Sequence, residues 1–235
     1  MTAWTAKRFW TTARVEPCDG GFAVRLDARM VKTPAKRALT LPTVAMAQAV
    51  AAEWQEQTGV IRPESMPFTR AANSAIDKIS PQFAEVAALI SEYGGSDLLC
   101  YRATEPQSLI LRQARNWDPL LDWAASALQA PLMPTHGVMP RAQPAPSIAR
   151  LRALVLAQSP FQLAGLHDLV AISGSLVLAF AVTHQRLDAE QAWALSRIDE
   201  NWQREQWGAD EDALATEARR RADFLAADRF YQLCR

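Results

Sequence analysis

The chain has 235 residues, and its 25 Lys and Arg residues equal its 25 Asp and Glu residues, so the formal net charge is zero. This balance argues against a dedicated nucleic-acid-binding protein, which needs surplus positive charge to displace phosphate counterions. Hydrophobic residues make up 49% of the chain and charged residues 21%, which indicates a folded protein rather than a disordered one. Because zero net charge gives little colloidal protection, we expect this surface to associate with a partner.

The N-terminal part of the sequence predicts a small antiparallel meander. Four segments are β-prone or alternate apolar and polar residues: 9–15, 22–26, 30–33 and 38–41. The glycines of the intervening Asp19-Gly20-Gly21 can adopt the positive φ of a tight turn. Short strands joined by such turns are typical of a hairpin-based sheet.

A helix is predicted to follow the meander. Thr43 is a suitable N-cap, an apolar stripe ends at Trp54, and Gly59 is expected to end the helix. Residues 61–69 are expected to be extended and residues 70–79 to form a short helix. Together these elements make up the first predicted domain, residues 1–79.

From residue 80 onward the pattern is helical, which predicts a second domain, residues 80–235, built as a helical bundle. Ser80 and Ser147 are expected to cap helices, and residues 159–162 and 188–191 are start signals of the capping-box type. The run Ser173-Gly174-Ser175 is expected inside one apolar helix. Predicted helices cover residues 80–93, 106–129, 147–157, 160–182, 188–207 and 210–233, with an irregular connection at 130–146. The predicted fold class is therefore α+β.

The residues give little sign of catalysis. Cys18, Cys100 and Cys234 are far apart and odd in number, which fits free thiols in a reducing cytoplasm and not a disulfide framework. The sequence contains none of the phosphate-binding, nucleophile-elbow or zinc-protease motifs. We therefore expect no enzyme activity, no cofactor and no metal site. The N-terminus lacks the apolar core of a secretory signal, and the apolar stretch 169–182 is too short to span a bilayer.

The most informative segment is residues 196–208. On a continuous helix Asp199, Gln203 and Gln206 would share one face, while Leu195, Ile198 and Trp202 would share another and pack in the bundle. Asp199 and Glu200 are open to two interpretations. They are either solvated helix charges or part of a binding surface in which aromatic anchors and an oriented charge give affinity. We expect Trp193 and Trp207 to be exposed anchors.

At this segment the chain resembles a known family, the chaperones that bind the free alpha subunit of the F1 sector of ATP synthase in mitochondria and alpha-proteobacteria. The resemblance covers nearly the whole chain, and its matching stretches occur in the family's order. They are Leu26-Asp27 with residues 32–34, residues 52–57, residues 97–106, residues 116–124 and residues 196–208.

The resemblance implies a non-enzymatic chaperone that binds the unassembled F1 alpha subunit, prevents its aggregation and hands it over for assembly with the beta subunit. It implies a partner-binding acid at Asp199, with Glu200 as a co-candidate because the family more often has Glu at the first position. Trp54 also matches a family position, where its role is either structural or in the interface. The implied partner-binding residues are Asp199, Glu200, Gln203, Gln206, Trp207, Trp193 and Trp54. We expect a bacterial cytoplasmic protein, monomeric when free, without nucleic acid and without membrane insertion.

Two alternatives remain open at the sequence level. One is a small-molecule enzyme or ligand-binding protein with an interdomain pocket, in which His167 or His184 would contribute titratable groups. The other is a helical adaptor for a different client.

Overall fold

The computed structural model describes residues 6–137 and 139–235. Residues 1–5 and residue 138 lie outside the described residues. The first group belongs to the N-terminus, where no secretory signal is expected, and residue 138 belongs to the predicted irregular connection. A small antiparallel sheet precedes a mostly helical remainder, so the predicted α+β class is confirmed.

The sheet is built around a hairpin. Strands β1 (Ala13–Cys18) and β2 (Gly21–Leu26) pair antiparallel, and the short strands β3 (Arg29–Met30) and β4 (Thr40–Leu41) both pair with β2. Gly21 has a φ of 151°, and a Cβ there would lie 2.3 Å from the carbonyl oxygen of Leu41. Only glycine therefore lets β4 approach the hairpin this closely.

The first strand begins later than predicted. Residues 9–12 are not in β1, because the backbone N–H groups of Thr11 and Thr12 donate to the carboxylate of Asp27, at 3.1 and 2.9 Å. These bonds hold the pKa of Asp27 below its usual range. A side chain thus takes the donors that a longer ladder would have used.

Helix α1 (Val44–Glu56) packs on this sheet through the buried residues Met46, Ala47 and Val50. Thr43 caps it as predicted, since its Oγ accepts from the N–H of Met46 at 3.1 Å. The predicted end at Gly59 is wrong. The chain turns extended at Gln57, whose side-chain Oε1 accepts from the N–H of Arg62 at 2.7 Å and closes the turn.

Helix α2 (Pro67–Ser74) begins where an extended segment was predicted. The buried carboxylate of Glu53 accepts from the N–H groups of Phe68 and Thr69, at 2.6 and 2.7 Å, and so caps the helix from a distant part of the chain. Burial raises the pKa of Glu53 even though these donors oppose the shift. A π-helical turn at Ala75–Ile79 and a 3-10 turn at Ser80–Gln82 then lead directly into α3 (Phe83–Glu92), so Ser80 does not cap a separate helix.

The remaining elements are mostly helices. They are β5 (Tyr101–Arg102), α4 (Gln107–Ala127), β6 (Thr135–His136), α5 (Ala145–Leu156), α6 (Pro160–Ser173), α7 (Leu176–Thr183), α8 (Ala189–Ser196), α9 (Ile198–Trp207) and α10 (Glu211–Gln232). In the connection predicted at 130–146, the described residues up to 144 are irregular apart from the parallel pairing of β6 with β5, and α5 begins at Ala145. Ser147 lies inside α5, where it donates to the carbonyl oxygen of Pro131 at 2.7 Å instead of capping the helix.

Two long helices of the prediction are each interrupted. Gly174, with φ of 75°, ends α6, and Ser175 caps α7 by accepting from the N–H of Leu178 at 2.9 Å. The chain also breaks at Arg197, with φ of −113° and ψ of 18°, which separates α8 from α9. Both predicted capping boxes, at Ser159 with Gln162 and at Asp188 with Gln191, are confirmed.

The chain divides into two compact units. The first contains the chain up to Phe83 with Ser159–Gly165 and Arg229–Arg235, and the second contains Ala84–Gln158 with Leu166–Asp228. The predicted boundary between residues 79 and 80 would place Ser159–Gly165 and Arg229–Arg235 in the second domain. This boundary stays a prediction. Large buried side chains fill each unit: Leu39, Leu41 and Met46 in the first, and Trp117, Leu151, Phe180 and Phe224 in the second.

Candidate functional site

A groove of about 660 Å³ lies in the second unit, bordered by α8, α9 and the first half of α10. Four of the predicted partner-binding residues line it: Trp193, Glu200, Gln203 and Trp207. Asp199 and Gln206 are not among its lining residues, and Trp54 belongs to the first unit. The structure therefore brings together a majority of the predicted residues, but not all of them.

Trp207 is the main apolar feature of this groove. It occupies the last position of α9, which ends at Gly208 with φ of 85°, and its side chain is 79% exposed. Leu214, on the first turn of α10, adds a second exposed apolar side chain at 43%. A large exposed indole beside a groove is typical of a contact surface for another protein.

Two ion pairs lie among the charged residues that line the groove. Arg197 contacts Glu200 at 2.7 Å, and Arg204 contacts Glu217 of α10 at 2.5 Å. Arg204 also donates to Asn201. Burial lowers the pKa of Arg197, and the charge of Glu200 opposes that shift. The groove therefore presents apolar groups beside charges of both signs and not a field of one sign.

The expected exposure of Trp193 is wrong. Its side chain is 5% exposed and packs against Phe224, with ring centroids 6.0 Å apart, and the guanidinium of Arg197 lies 5.1 Å from the centre of the Trp193 ring. The prediction assumed one continuous helix through these residues, whereas the chain breaks at Arg197 and Trp193 packs against Phe224 of α10. Trp193 contributes to the lining of the groove as a packed wall residue.

The opposite side of α9 faces α4. The carboxylate of Asp199 accepts from the side-chain amide of Gln113 at 2.7 Å, and Glu205 makes two contacts of 2.8 Å with Arg112. Ile198 is buried, as predicted, and Trp202 is half-buried under the guanidinium of Arg112. The common face predicted for Asp199, Gln203 and Gln206 is thus divided, because Asp199 belongs to the α4 side and Gln203 to the groove.

Trp54 has a packing role in the first unit. It is half-buried, and its ring meets the buried Trp10 edge to face at 5.3 Å, which holds α1 beside the start of the sheet. Trp117 is fully buried in the second unit, and its indole N–H donates to the carbonyl oxygen of Leu195 at 2.9 Å. These contacts agree with a structural role for Trp54 in packing α1, and a contact of Trp54 with a partner stays a prediction.

Sequence reasoning missed three contributors to the site: Arg112, Gln113 and the first half of α10. From Glu211 to Asp223 every side chain of α10 is exposed except the half-buried Glu217. Contacts from Arg204 to Glu217 and from Arg221 to Glu190 connect this part of the helix to α9 and α8. The sequence does indicate the exposure of this part of α10, because residues 211–223 lack the apolar stripe of a helix that packs in a core.

A second, smaller groove of about 330 Å³ contains His167, together with Leu89, Tyr93 and Glu92. His167 lies 2.8 Å from the carboxylate of the adjacent Asp168. His184 is not part of this groove and packs edge-on against Trp123. Within residues 6–137 and 139–235, no group of three or more His, Cys, Asp or Glu side chains has a metal-binding arrangement. None of the helices in that same part of the chain combines the length and hydrophobicity needed to cross a bilayer.

The chain is similar to proteins of one family along most of its length. The family model described as ATP12 chaperone protein matches residues 7–125, slightly more than half of the chain. Protein atp12, mitochondrial, of Schizosaccharomyces pombe is 26% identical over 220 residues, which cover 88% of this chain and 75% of that protein.

Solved structures agree with this match. The crystal structure of Atp12 from Paracoccus denitrificans is 52% identical, has a TM-score of 0.95 and covers 98% of this chain and 99% of its own. The Atu1473 protein of Agrobacterium tumefaciens is 40% identical, has a TM-score of 0.94 and covers 97% of this chain and 86% of its own. The chain belongs to the ATP12 chaperone family, a family that serves in the assembly of ATP synthase.

Proposed function

We propose that this protein binds the unassembled alpha subunit of F1-ATPase, keeps it from aggregating and releases it for assembly with the beta subunit. The observation that carries the proposal is the exposed Trp207 beside the groove between α8, α9 and α10. Family membership supports the role in ATP synthase assembly, and the choice of the alpha subunit as client is our inference.

The physical demand on such a protein fits the groove. Free subunits of a ring expose the apolar surfaces that they later bury, and these surfaces aggregate unless they are covered. A reversible cover needs a few aromatic anchors and a polar rim, since a handful of central residues supplies most of the binding energy. Trp207 and Leu214 provide apolar area, while Glu200 and Gln203 provide the polar rim.

We propose the following division of roles among the predicted residues. Trp207, Glu200 and Gln203 contact the client at the groove, and the exposed Gln206 contacts it at the edge of the same helix. Trp193 supports the wall of the groove. This activity requires no catalytic group and no cofactor. We also propose that the protein acts as a monomer in the bacterial cytoplasm, which the likeness to the proteins of two bacteria supports.

Co-expression with the alpha subunit tests the proposal. We expect the alpha subunit to become soluble and to elute with this protein as one complex on gel filtration. The beta subunit, co-expressed in the same way, is the matched control and should gain no solubility. An alpha subunit that stays insoluble, with no complex on the column, would show that the proposed client is wrong. Equal rescue of both subunits would instead indicate a general holding activity.

A further inference from the structure

We infer that Arg112 and Gln113 of α4 are positioning residues for the client groove, and that Asp199 affects the client through the placement of α9 and not by touching it. The inference rests on the proposed function, because it concerns how the same groove is held in shape. Its structural basis is the row of polar contacts between α4 and one side of α9.

Gln113 fixes the position of Asp199. The amide side chain is 1% exposed, and both of its ends have partners. Its Oε1 accepts from the backbone N–H of Ala103 at 2.8 Å, and its Nε2 donates to Asp199 at 2.7 Å. An amide held at its oxygen by a backbone donor must present its NH₂ group to Asp199, so the direction of this hydrogen bond is determined.

Arg112 makes the second set of contacts. Its two terminal nitrogens each donate to one oxygen of Glu205 at 2.8 Å, and its guanidinium lies 4.8 Å over the ring of Trp202. A paired, planar guanidinium stacked on an aromatic ring has a defined geometry, unlike a single surface ion pair. Together, Arg112 and Gln113 hold three successive turns of α9, at Asp199, Trp202 and Glu205.

These polar contacts matter because α9 has little apolar packing. Ile198 is its one buried side chain. Three of the residues that we assign to the client, Glu200, Gln203 and Trp207, line the groove on the other side of α9. A change in the contacts to α4 therefore displaces Trp207 without removing much buried apolar area, so the core stays folded while the groove loses its shape.

Two substitutions at Asp199 separate positioning from direct contact. Asp199→Asn keeps an oxygen that accepts from Gln113 but removes the charge, whereas Asp199→Lys removes the acceptor and places a cation beside the amide NH₂ group. We expect Asn to retain affinity for the alpha subunit within about threefold and Lys to lose about tenfold or more. If Asn weakens binding as much as Lys, the charge itself contacts the client and the inference is wrong.

A charge swap tests Arg112. The single variants Arg112→Glu and Glu205→Arg place like charges together, and each should weaken binding about tenfold, while the double variant restores it. If either residue contacts the client, the double variant should not restore binding, because a charge of the opposite sign would then face the client. That result would overturn the inference. The exposed pair Arg25 and Glu16, 2.7 Å apart in the sheet, is the matched control, and its swap should leave binding unchanged.

A client-free measurement keeps this test independent of the proposed function. Amide hydrogen exchange of the unbound protein should be faster in α9 for each single variant at Arg112 and Glu205, with normal rates in the double variant and in the α4 core. If wild-type protein does not bind the alpha subunit, the proposed client is wrong, and exchange alone then decides the positioning role. Unchanged exchange in α9 would overturn that role even if the alpha subunit binds.

Discussion

The hydroxyl of Ser175 donates to the carboxylate of Asp97 at 2.7 Å, and the two residues are 78 positions apart in the chain. The same carboxylate accepts from the backbone N–H groups of Val177 and Leu99, at 2.9 and 3.0 Å. Asp97 is fully buried, and burial raises its pKa although these three donors oppose the shift. A buried acid thus joins the start of α7 to the segment before β5.

Asp97→Asn tests the importance of this buried acid. Its amide can accept only on the oxygen, so the NH₂ group faces an N–H or O–H donor that loses its acceptor. We expect the free energy of unfolding to fall by about 2 kcal/mol, as measured by urea denaturation. The exposed Asp122 of α4 is a matched control, since Asp122→Asn should change stability by less than about 0.5 kcal/mol. Equal effects at both positions would contradict the role of Asp97.

Trp207→Ala should separate binding from stability. Because the indole is 79% exposed, its loss should lower the free energy of unfolding by less than about 0.5 kcal/mol. As the central aromatic of the proposed interface, it should cost about 2 kcal/mol of affinity for the alpha subunit, roughly a 30-fold change in Kd by titration calorimetry. Leu156→Ala on α5 removes another exposed apolar side chain and should leave Kd unchanged. A normal Kd for Trp207→Ala would exclude Trp207 from the interface.

The pairing of His167 with Asp168 predicts a pH dependence. The hydrogen bond to Asp168 raises the pKa of His167 above its ordinary value of 6.5, and burial opposes this shift. A raised pKa in the folded state adds stability that is fully present below 6.5 and is lost as the pH rises through the folded-state value. The stability difference between wild type and Asp168→Asn should therefore be larger at about pH 5.5 than at about pH 8.5.

Proton NMR titration measures this effect directly. The imidazole signal of His167 should titrate above 6.5 in the wild type and shift to lower pH in Asp168→Asn, with the signals of His136 and His184 as internal controls. An unchanged titration of His167 in the variant would show that Asp168 does not cause the shift.

The three cysteines should differ in reactivity. Burial raises the pKa of the Cys100 and Cys234 thiols to about 12, so almost no thiolate forms at either residue near neutral pH. Cys18 is half-exposed at the end of β1. With Ellman's reagent at about pH 8, we expect one fast thiol in the native protein and three in denaturant. Cys18→Ser should abolish the fast phase, and a remaining fast phase would contradict the raised pKa of the Cys100 or Cys234 thiol.

Local signals in the sequence were sufficient for much of the fold. The caps at Thr43, Ser159 and Asp188 each depend on residues within one helical turn, so the sequence identifies them without knowledge of the fold. The break at Gly174 and the start of α2 at Pro67 were missed for the opposite reason. Both are stabilised by carboxylates from distant segments, Asp97 and Glu53, and no local pattern shows such a contact.

For the candidate site, too, the sequence predicted some residues correctly and missed others. Trp207 was predicted to be exposed, and its side chain is 79% exposed at the end of α9, whereas its role as an anchor stays a prediction. Trp193 was predicted to be exposed on the assumption of one continuous helix, and the break at Arg197 contradicts that assumption. Gln113 gives no sequence signal at all, because its importance comes from the spatial meeting of α4 with Asp199.

The first half of α10, whose side chains are exposed, is the part of the groove wall that can open locally. A helix segment whose side chains contribute nothing to a core unfolds locally at a far lower free energy than the whole protein. From Glu211 to Asp223 the segment has that character, whereas Phe224 anchors the following turn in the core. The α10 wall can therefore loosen and re-form while α8 and α9 remain in place. Under the proposed function, this local opening would release a bound subunit to its assembly partner while the rest of the protein stays folded.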